Sequence, residues 1–384
     1  MKNIVIVGGG PAGVMCAIEA AKNPDNTIYI AEQKDVLATL LVTGGGRCNL
    51  AYNEPIPNRL VKYFPRGEKF LHSVFSRFGT NETVSFFEKI GVPTKIQDDQ
   101  RIFPRSDSAA DVRNALLKQL QKPNIRIIKG RILSVRKTDG GYDVSLENNG
   151  AESSMKADVV VLATGGSRAG HKLAADLGHR IVAPRPSLCA LKITETKFYQ
   201  LSGVSLKNDL LFTHSSLSGP LILKISSLCA FIDFDAKNPL EIEVNFVGQE
   251  QNEFRTLLKN EIQAHPKKDI INISSKFLPR DLAQILLEEL GIGININCAE
   301  LSGAKINSIA ELFTSYTFHA IARVEKGAMV TAGGVSLEEV DGKTMESKIH
   351  KNLYFCGEVL NIDGLTGGFN LQNCWSTGFI VGRG

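Results

Sequence analysis

The feature that most constrains this chain lies within its first thirty-two residues. Residues 3–7 read as a short buried strand, followed by Gly8-Gly9-Gly10-Pro11-Ala12-Gly13, which fits GxGxxG. Residues 14–21 are apolar and alanine-rich, with helical character, and residues 27–31 read as a second strand ending at Glu32. Each part of this order has a physical reason. Gly8 permits a tight turn, Gly10 clears the backbone for a pyrophosphate, and Gly13 lets the helix pack closely on the strand. The helix N-terminus offers unpaired N–H groups to phosphates. An acid at the end of the second strand accepts hydrogen bonds from ribose hydroxyls. The pattern predicts a dinucleotide-binding unit with Gly8, Gly10, Ala12, Gly13 and Glu32 at the ligand.

Length allows two or three domains, since the chain has 384 residues. A hydrophobic fraction of 43% and a charged fraction of 22% exclude disordered and collagen-like chains. The formal charge of +4 is too small to indicate nucleic-acid binding, and no run of five like charges occurs. Seven cysteines without a CxxC pair argue against a disulfide framework or a zinc site, so no metal is expected. The start of the chain does not read as a signal peptide and no apolar stretch approaches 18 residues. A reducing cytoplasm, with no membrane partner, is the expected setting.

Further on, LLVTGGGRCN at residues 40–49 makes a poor helix or strand but a good backbone surface for a ligand, with a cation and an amide beside it. A flexible loop is the alternative. Residues 70–78, 83–90 and 109–120 look helical, with Ser106 or Ser108 able to cap the last. Residues 125–128, 131–136 and 142–146 read as strands, and Asp139-Gly140-Gly141 as the turn between the last two. Residues 157–163 form a buried strand ending in Thr164-Gly165-Gly166. Pro184-Arg185-Pro186 then breaks the chain. Short strand-like runs at 189–193, 209–213 and 240–245, with helices at 253–264 and 279–290, suggest an antiparallel insert. Buried-strand composition returns at 327–335 and 353–356. The expected organisation is one discontinuous α/β domain, 1–186 plus 325–384, interrupted by a β-rich domain, 187–324, with a helical part near 250–300.

These segments resemble the BaiN-like, or aminoacetone-oxidase-like, family of NAD(P)/FAD-dependent oxidoreductases. The resemblance is carried by GGGPAG, TGGGRCN, RIFPRSDSAADV, ATGGS, FTHSSLSGP, TAGGVSLEEVDGKTMESK and LYFCGEVLNIDGLTGGFNLQNCWSTG. It implies a Rossmann-like FAD-binding domain of the glutathione-reductase type with an inserted β-rich domain and a small helical part. It also implies FAD contacts. Gly45, Gly46, Arg47, Cys48 and Asn49 would lie along the cofactor, and the Ile132 backbone would meet adenine. Thr164 and Gly165 would close over the cofactor, and Gly357 and Glu358 would reach its phosphate–ribityl region. Gly368, Asn370, Leu371 and Gln372 would sit near the flavin ring. Two departures stand out. Ala38 and Thr39 occupy the places of a frequent basic pair, and the glycine-rich stretch after ATGG is shortened, running from Ser167 almost directly into His171.

The last helix is expected to begin near Asn370, its N–H groups facing the flavin N1/C2=O edge, where negative charge gathers on reduction. His214 is the candidate proton donor or acceptor, against the plainer reading of a loop histidine; His319 has a weaker claim. Arg47 could hold an anionic substrate or a flavin phosphate, or be structural. Cys48, Cys356, Cys374 and Trp375 read as packing residues. No second GxGxxG unit occurs, so NAD(P)H, where used, would be a transient donor without its own Rossmann domain. The expected activity is hydride transfer between a small organic substrate and flavin N5, in an NAD(P)H-linked reductase. Two alternatives stay open: an amine oxidase passing electrons to oxygen, and a flavin-bound RNA- or protein-binding module. Nucleic acid is not the expected partner, and the sequence does not fix the oligomeric state.

Overall fold

The computed structural model describes residues 2–206 and 209–384. The chain divides into two compact units, Met1–Ser187 with Val330–Gly384, and Leu188–Met329. The crossings therefore fall at Ser187 and Val330, the second a few residues beyond the boundary read from composition.

The first unit is built on a five-stranded parallel sheet. Its order is Leu353–Phe355, Val159–Leu162, β1 (Lys2–Val7), β2 (Asn26–Glu32) and Ile125–Lys129. Strands buried on both faces read as continuous apolar runs, as Val159–Leu162 does, rather than as alternation. Helix α1 (Pro11–Ala20) connects β1 to β2 and is buried along almost its whole length. The reason is the terminal helix Phe369–Arg383, which packs against it. Their approach is close enough that a Cβ on Gly378 would lie 2.3 Å from the Ala12 carbonyl oxygen. The expected meander is present as Arg131–Thr138, Gly141–Asn148 and Ala151–Ala157, all antiparallel. A second small sheet pairs Arg101–Pro104 with Ala51–Tyr52 on one side and Thr94–Ile96 on the other. Ser108, not Ser106, caps the helix Ala109–Gln119 by accepting from the Asp111 N–H at 3.2 Å.

The second unit has its own core. A six-stranded antiparallel sheet runs in the order Ser205–Leu206, Leu210–Phe212, Ser216–Ser218, Leu191–Ile193, Tyr316–Arg323, Leu240–Val244. Helices Gln251–Ala264, Ile270–Ser274, Arg280–Glu289 and Gly303–Thr314 bury their apolar faces in the same core. Two helices, Pro220–Leu228 and Gly303–Thr314, were not among the expected elements. Their start signals were nonetheless present: Pro220 stands at the first helical position, and Ser302 caps through the Lys305 N–H. No helix among the described residues is long and apolar enough to cross a membrane.

Candidate cofactor site

β1 ends at Val7, and the chain turns through Gly8, whose φ of +110° is open to glycine and little else. A Cβ on Gly13 would stand 2.0 Å from the Gly8 carbonyl oxygen, so the turn closes only with glycine there. Gly10 differs. Its φ is −76° and nothing lies within 4 Å of where its Cβ would be. Gly10 is the N-cap of α1 and offers no side-chain cap, so the first-turn N–H groups have no side-chain acceptor from the cap residue. Glu32 stands at the end of β2. One carboxylate oxygen accepts from the Gly9 N–H at 2.8 Å and the other from the Lys34 N–H at 3.0 Å. Each oxygen has a second lone pair, so the carboxylate keeps acceptor capacity.

Residues 38–49 form a second turn. Ala38–Gly46 is a 3-10 segment broken at Thr43–Gly45, with Gly44, Gly45 and Gly46 all left-handed and exposed. This corrects the reading of the stretch as free of helix. Arg47 is committed: its Nε and Nη2 lie 2.9 and 2.7 Å from Asp107 Oδ1, and its guanidinium sits 4.1 Å over the Phe103 ring. Lys95 takes the other Asp107 oxygen. The two cations hold the Asp107 carboxyl below its ordinary value, Lys95 foremost. Cys48 is buried with φ +62°, and burial pushes its thiol up to about 12. The Asn49 Oδ1 is buried and finds no hydrogen-bond partner among the described residues.

The terminal helix provides a second helix N-terminus to this cluster of turns. It begins at Phe369, one residue earlier than expected, after Gly368 at φ +97°. A Cβ on Gly368 would lie 2.7 Å from the Ala51 carbonyl oxygen and 2.8 Å from Asn49 Oδ1, which brings Asn49 to the start of this helix. Again the cap residue has no side chain. Asn370 does not project freely: its amide donates to the Gly364 oxygen at 2.9 Å and accepts from the Gly364 N–H at 2.8 Å, closing the loop before the helix. The Gln372 amide turns inward to Thr83 and Ser376, at 2.8 and 2.9 Å. Leu371 is half-buried. Phe369 stacks on Tyr63, with centroids 4.4 Å apart, and lies 4.8 Å from Tyr52. The loop is pinned below by a two-pronged ion pair between Arg66 and the fully buried Asp363. Ser187 also donates to Asp363, at 3.1 Å.

Two more loops complete the cluster. Thr164 follows the strand Val159–Leu162, and its hydroxyl is buried without a partner among the described residues. Gly165 is left-handed, with nothing within 4 Å of its Cβ position. Gly357 and Glu358 follow Leu353–Phe355. Glu358 accepts from the Thr331 N–H at 2.7 Å, while burial pushes its carboxyl up to about 7. Ile132 lies on the meander beside a bulge in its pairing.

Thus Gly8–Gly13, Glu32, Gly45–Asn49, Ile132, Thr164, Gly165, Gly357, Glu358 and Gly368–Gln372 all belong to the first unit. His214 belongs to the second, exposed in the turn between Leu210–Phe212 and Ser216–Ser218. His319 is held through Nδ1 by Glu195 at 2.7 Å. All seven cysteines are free, six of them buried. Trp375 is fully buried and donates to the Leu50 oxygen at 3.0 Å. No group of His, Cys, Asp and Glu suited to a metal ion occurs among the described residues. Sequence reasoning missed Asp107 and Lys95 as partners of Arg47, and missed the Arg66–Asp363 staple. Asp107 stands inside a quoted motif, but nothing in its spacing marked it.

Two uncapped helix N-termini, a side-chain-free approach at Gly10, orphaned oxygens at Asn49 and Thr164, and an acid closing β2 suit a large anionic dinucleotide such as FAD. Comparison with known proteins agrees. Residues 2–384 match the family described as HI0933-like protein Rossmann domain. The chain is 30% identical to a 3-dehydro-bile acid delta(4,6)-reductase of Clostridium scindens, over all of this chain and 98% of that one. It is 27% identical to a ribosomal RNA dihydrouridine synthase of Escherichia coli, over 99% of this chain and 96% of that one. A solved structure of E. coli quinol fumarate reductase FrdA shares the fold, with a TM-score of 0.53 at 15% identity over 100% of this chain and 69% of that one. The chain belongs to the HI0933-like Rossmann-domain family and, with it, to the FAD-dependent oxidoreductases.

Proposed function

We propose that this protein uses NAD(P)H to reduce a carbon–carbon double bond conjugated with a carbonyl in a small organic acceptor. The observation that carries the proposal is the uncapped N-terminus of the terminal helix, at Gly368, set against Ala51 and the unpartnered Asn49 Oδ1. A dinucleotide fold needs only one such terminus for its pyrophosphate. The second is suited to negative charge on a ring system that is reduced and reoxidised. The direction of the reaction is supported by the relatives' names. A delta(4,6)-reductase of a 3-dehydro substrate and a dihydrouridine synthase each saturate a ring C=C bond next to a carbonyl.

In this reading Gly8, Gly10, Ala12 and Gly13 hold the pyrophosphate at the first turn of α1, and Glu32 holds the adenosine ribose. The Ile132 backbone meets adenine. Thr164 and Gly165 cover the cofactor, using the unpartnered Thr164 hydroxyl. Glu358 accepts from a ribityl hydroxyl. The N–H groups of Phe369, Asn370 and Leu371 face the pyrimidine edge of the ring, with Asn370 fixing the loop rather than reaching outward. Bound FAD would supply the two-electron donor and acceptor that no side chain can. His214 is assigned the proton that accompanies reduction of the acceptor. His214→Asn should then slow reoxidation of the flavin by an acceptor several-fold and leave its reduction by NAD(P)H unchanged.

The decisive experiment is an anaerobic NADH and NADPH titration of the purified flavoprotein, followed by mixing with enones, isolated alkenes and amines. Rapid bleaching by a nicotinamide and reoxidation by enones alone is the expected result. Bleaching by amines, with peroxide formed in air, would instead establish the oxidase. A second reading places the acceptor ring in RNA, as the name of the E. coli relative suggests. The insert carries more acidic than basic residues, which does not favour a phosphate-tracking surface there.

A further inference from the structure

Arg47 and Lys95 share one carboxylate. Asp107 Oδ1 is taken by Arg47 and Oδ2 by Lys95, which leaves a surplus of one positive charge at the cluster. All three side chains stay about one-third exposed. The arrangement is held from several sides. Phe103 seats the guanidinium at 4.1 Å, and Lys95 is the direct cross-strand neighbour of Phe103 in the small sheet. Asp107 sits at φ +51°, a left-handed conformation that fixes where its carboxylate points. A guanidinium has five N–H donors and an ammonium three. Asp107 engages two donors of Arg47 and one of Lys95, and their other N–H groups make no further hydrogen bond among the described residues.

The cluster also adjoins the cofactor site. A Cβ on Gly44 would lie 3.1 Å from the Phe103 ring and 2.8 Å from the Asn49 N, so the glycine turn connects Phe103 to Asn49. Gly45 and Gly46 bring no side chain to the turn, and nothing lies within 4 Å of the Gly45 Cβ position. The approach to the two cations from the turn is thereby kept clear. The pyrophosphate is already provided for at α1, so these charges are spare.

We propose that Arg47 and Lys95 form a subsite for a carboxylate carried by the acceptor at a distance from its double bond. The planar guanidinium favours a carboxylate, which it can meet with two parallel N–H groups. Asp107 is a positioning residue: it keeps both cations in place while the subsite waits and competes with the incoming anion. The inference rests on the reductase reading for the identity of the ligand, but its test needs no turnover.

The probes are 3-oxocyclohexane-1-carboxylate, which is saturated and unreactive, and its methyl ester. Their binding to the oxidised holoenzyme is followed by titration calorimetry. The acid should bind at least about tenfold more tightly than the ester, and rising salt should erode the difference. Lys95→Gln should remove most of that advantage. Asp107→Asn, which frees both cations, should enlarge it several-fold. Should one variant fail to fold, the other still decides, because they move the ratio in opposite directions. Equal binding of acid and ester, or a ratio that neither variant moves, would overturn the proposal. So would release of FAD by the acid, which would hand the cations to the cofactor. Displacement of the acid by methyl phosphate at comparable concentration would overturn the carboxylate assignment, and displacement by a uridine oligonucleotide the small-acid one. Failure of enones to reoxidise the flavin, with the acid still bound, would sink the reductase reading alone.

Discussion

The candidate cofactor site has two uncapped helix N-termini, and they are built in opposite ways. At α1 the turn is short: Gly8, Gly9 and Gly10 alone join strand to helix, Gly8 and Gly13 close on each other and on Ala163, and Gly9 lies against Val36 and Glu32. At the terminal helix the turn is assembled from afar. Gly368 fits against Ala51 and Asn49, Phe369 against Tyr63 and Tyr52, and the preceding loop hangs on Arg66 through Asp363. One terminus is fixed by what the backbone can do. The other is fixed by packing and charge contributed by residues hundreds of positions away.

The comparison breaks most visibly at Gly13. Gly13→Val places a Cβ 2.0 Å from the Gly8 oxygen, with further bulk behind it. Flavin-free, poorly soluble protein is expected, read as the ratio of flavin to protein absorbance. A normally loaded protein would show that the local turn is not what holds the site. Next comes the staple of the distant turn. Asp363→Asn leaves the Arg66 guanidinium without its anion, at a cost of about 3–5 kcal/mol for a buried pair. Thermal unfolding should fall by several degrees, and flavin affinity should fall with it if the loop carries the second terminus.

A smaller effect is expected at Glu358. Its carboxyl is pushed up to about 7 from an ordinary 4.5 by burial. The folded protein therefore holds this proton more tightly than the unfolded chain does. The stability it contributes is full below about pH 4.5 and is lost as pH rises through about 7. Glu358→Gln has no such loss. In flavin-free protein, wild type should lose about 3 kcal/mol relative to the variant across that window, by denaturant titration at each pH. The smallest effect sharpens the comparison. Gly10→Ala meets nothing within 4 Å and needs no unusual φ, so the stability of the flavin-free protein should stay within about 0.5 kcal/mol of wild type. Flavin affinity should drop all the same. Equal affinity would mean that the space at Gly10 is not used by the ligand.

The same contrast explains what could be read in advance. The α1 turn was legible because strand, glycines, helix and acid lie within thirty-two residues and each has a local physical reason. The terminal helix was placed to within one residue by its glycines, yet its support was invisible. Nothing in the sequence near Arg66 announces Asp363, and Asn370 and Gln372 turn out to serve the scaffold with their side chains. Arg47 could be read as ligand or structure, and only Asp107 and Lys95 showed how it is held. In the insert, the helices opened by Pro220 and Ser302 were missed although their start signals, and for Gly303–Thr314 an apolar stripe at Ile306, Ile309, Ala310 and Phe313, stood in the sequence.

The packing of α1 on the terminal helix carries a consequence for how the protein is made. Gly378 and Gly382 press against the Ala12 and Cys16 carbonyl oxygens, almost the whole chain away in sequence. The glycine turn is therefore synthesised before the insert, and the helix that buries α1 after it. Until that helix arrives, α1 exposes an apolar face, and the nascent chain must remain soluble without it. The packing that buries α1 is completed only after the insert has been synthesised in full.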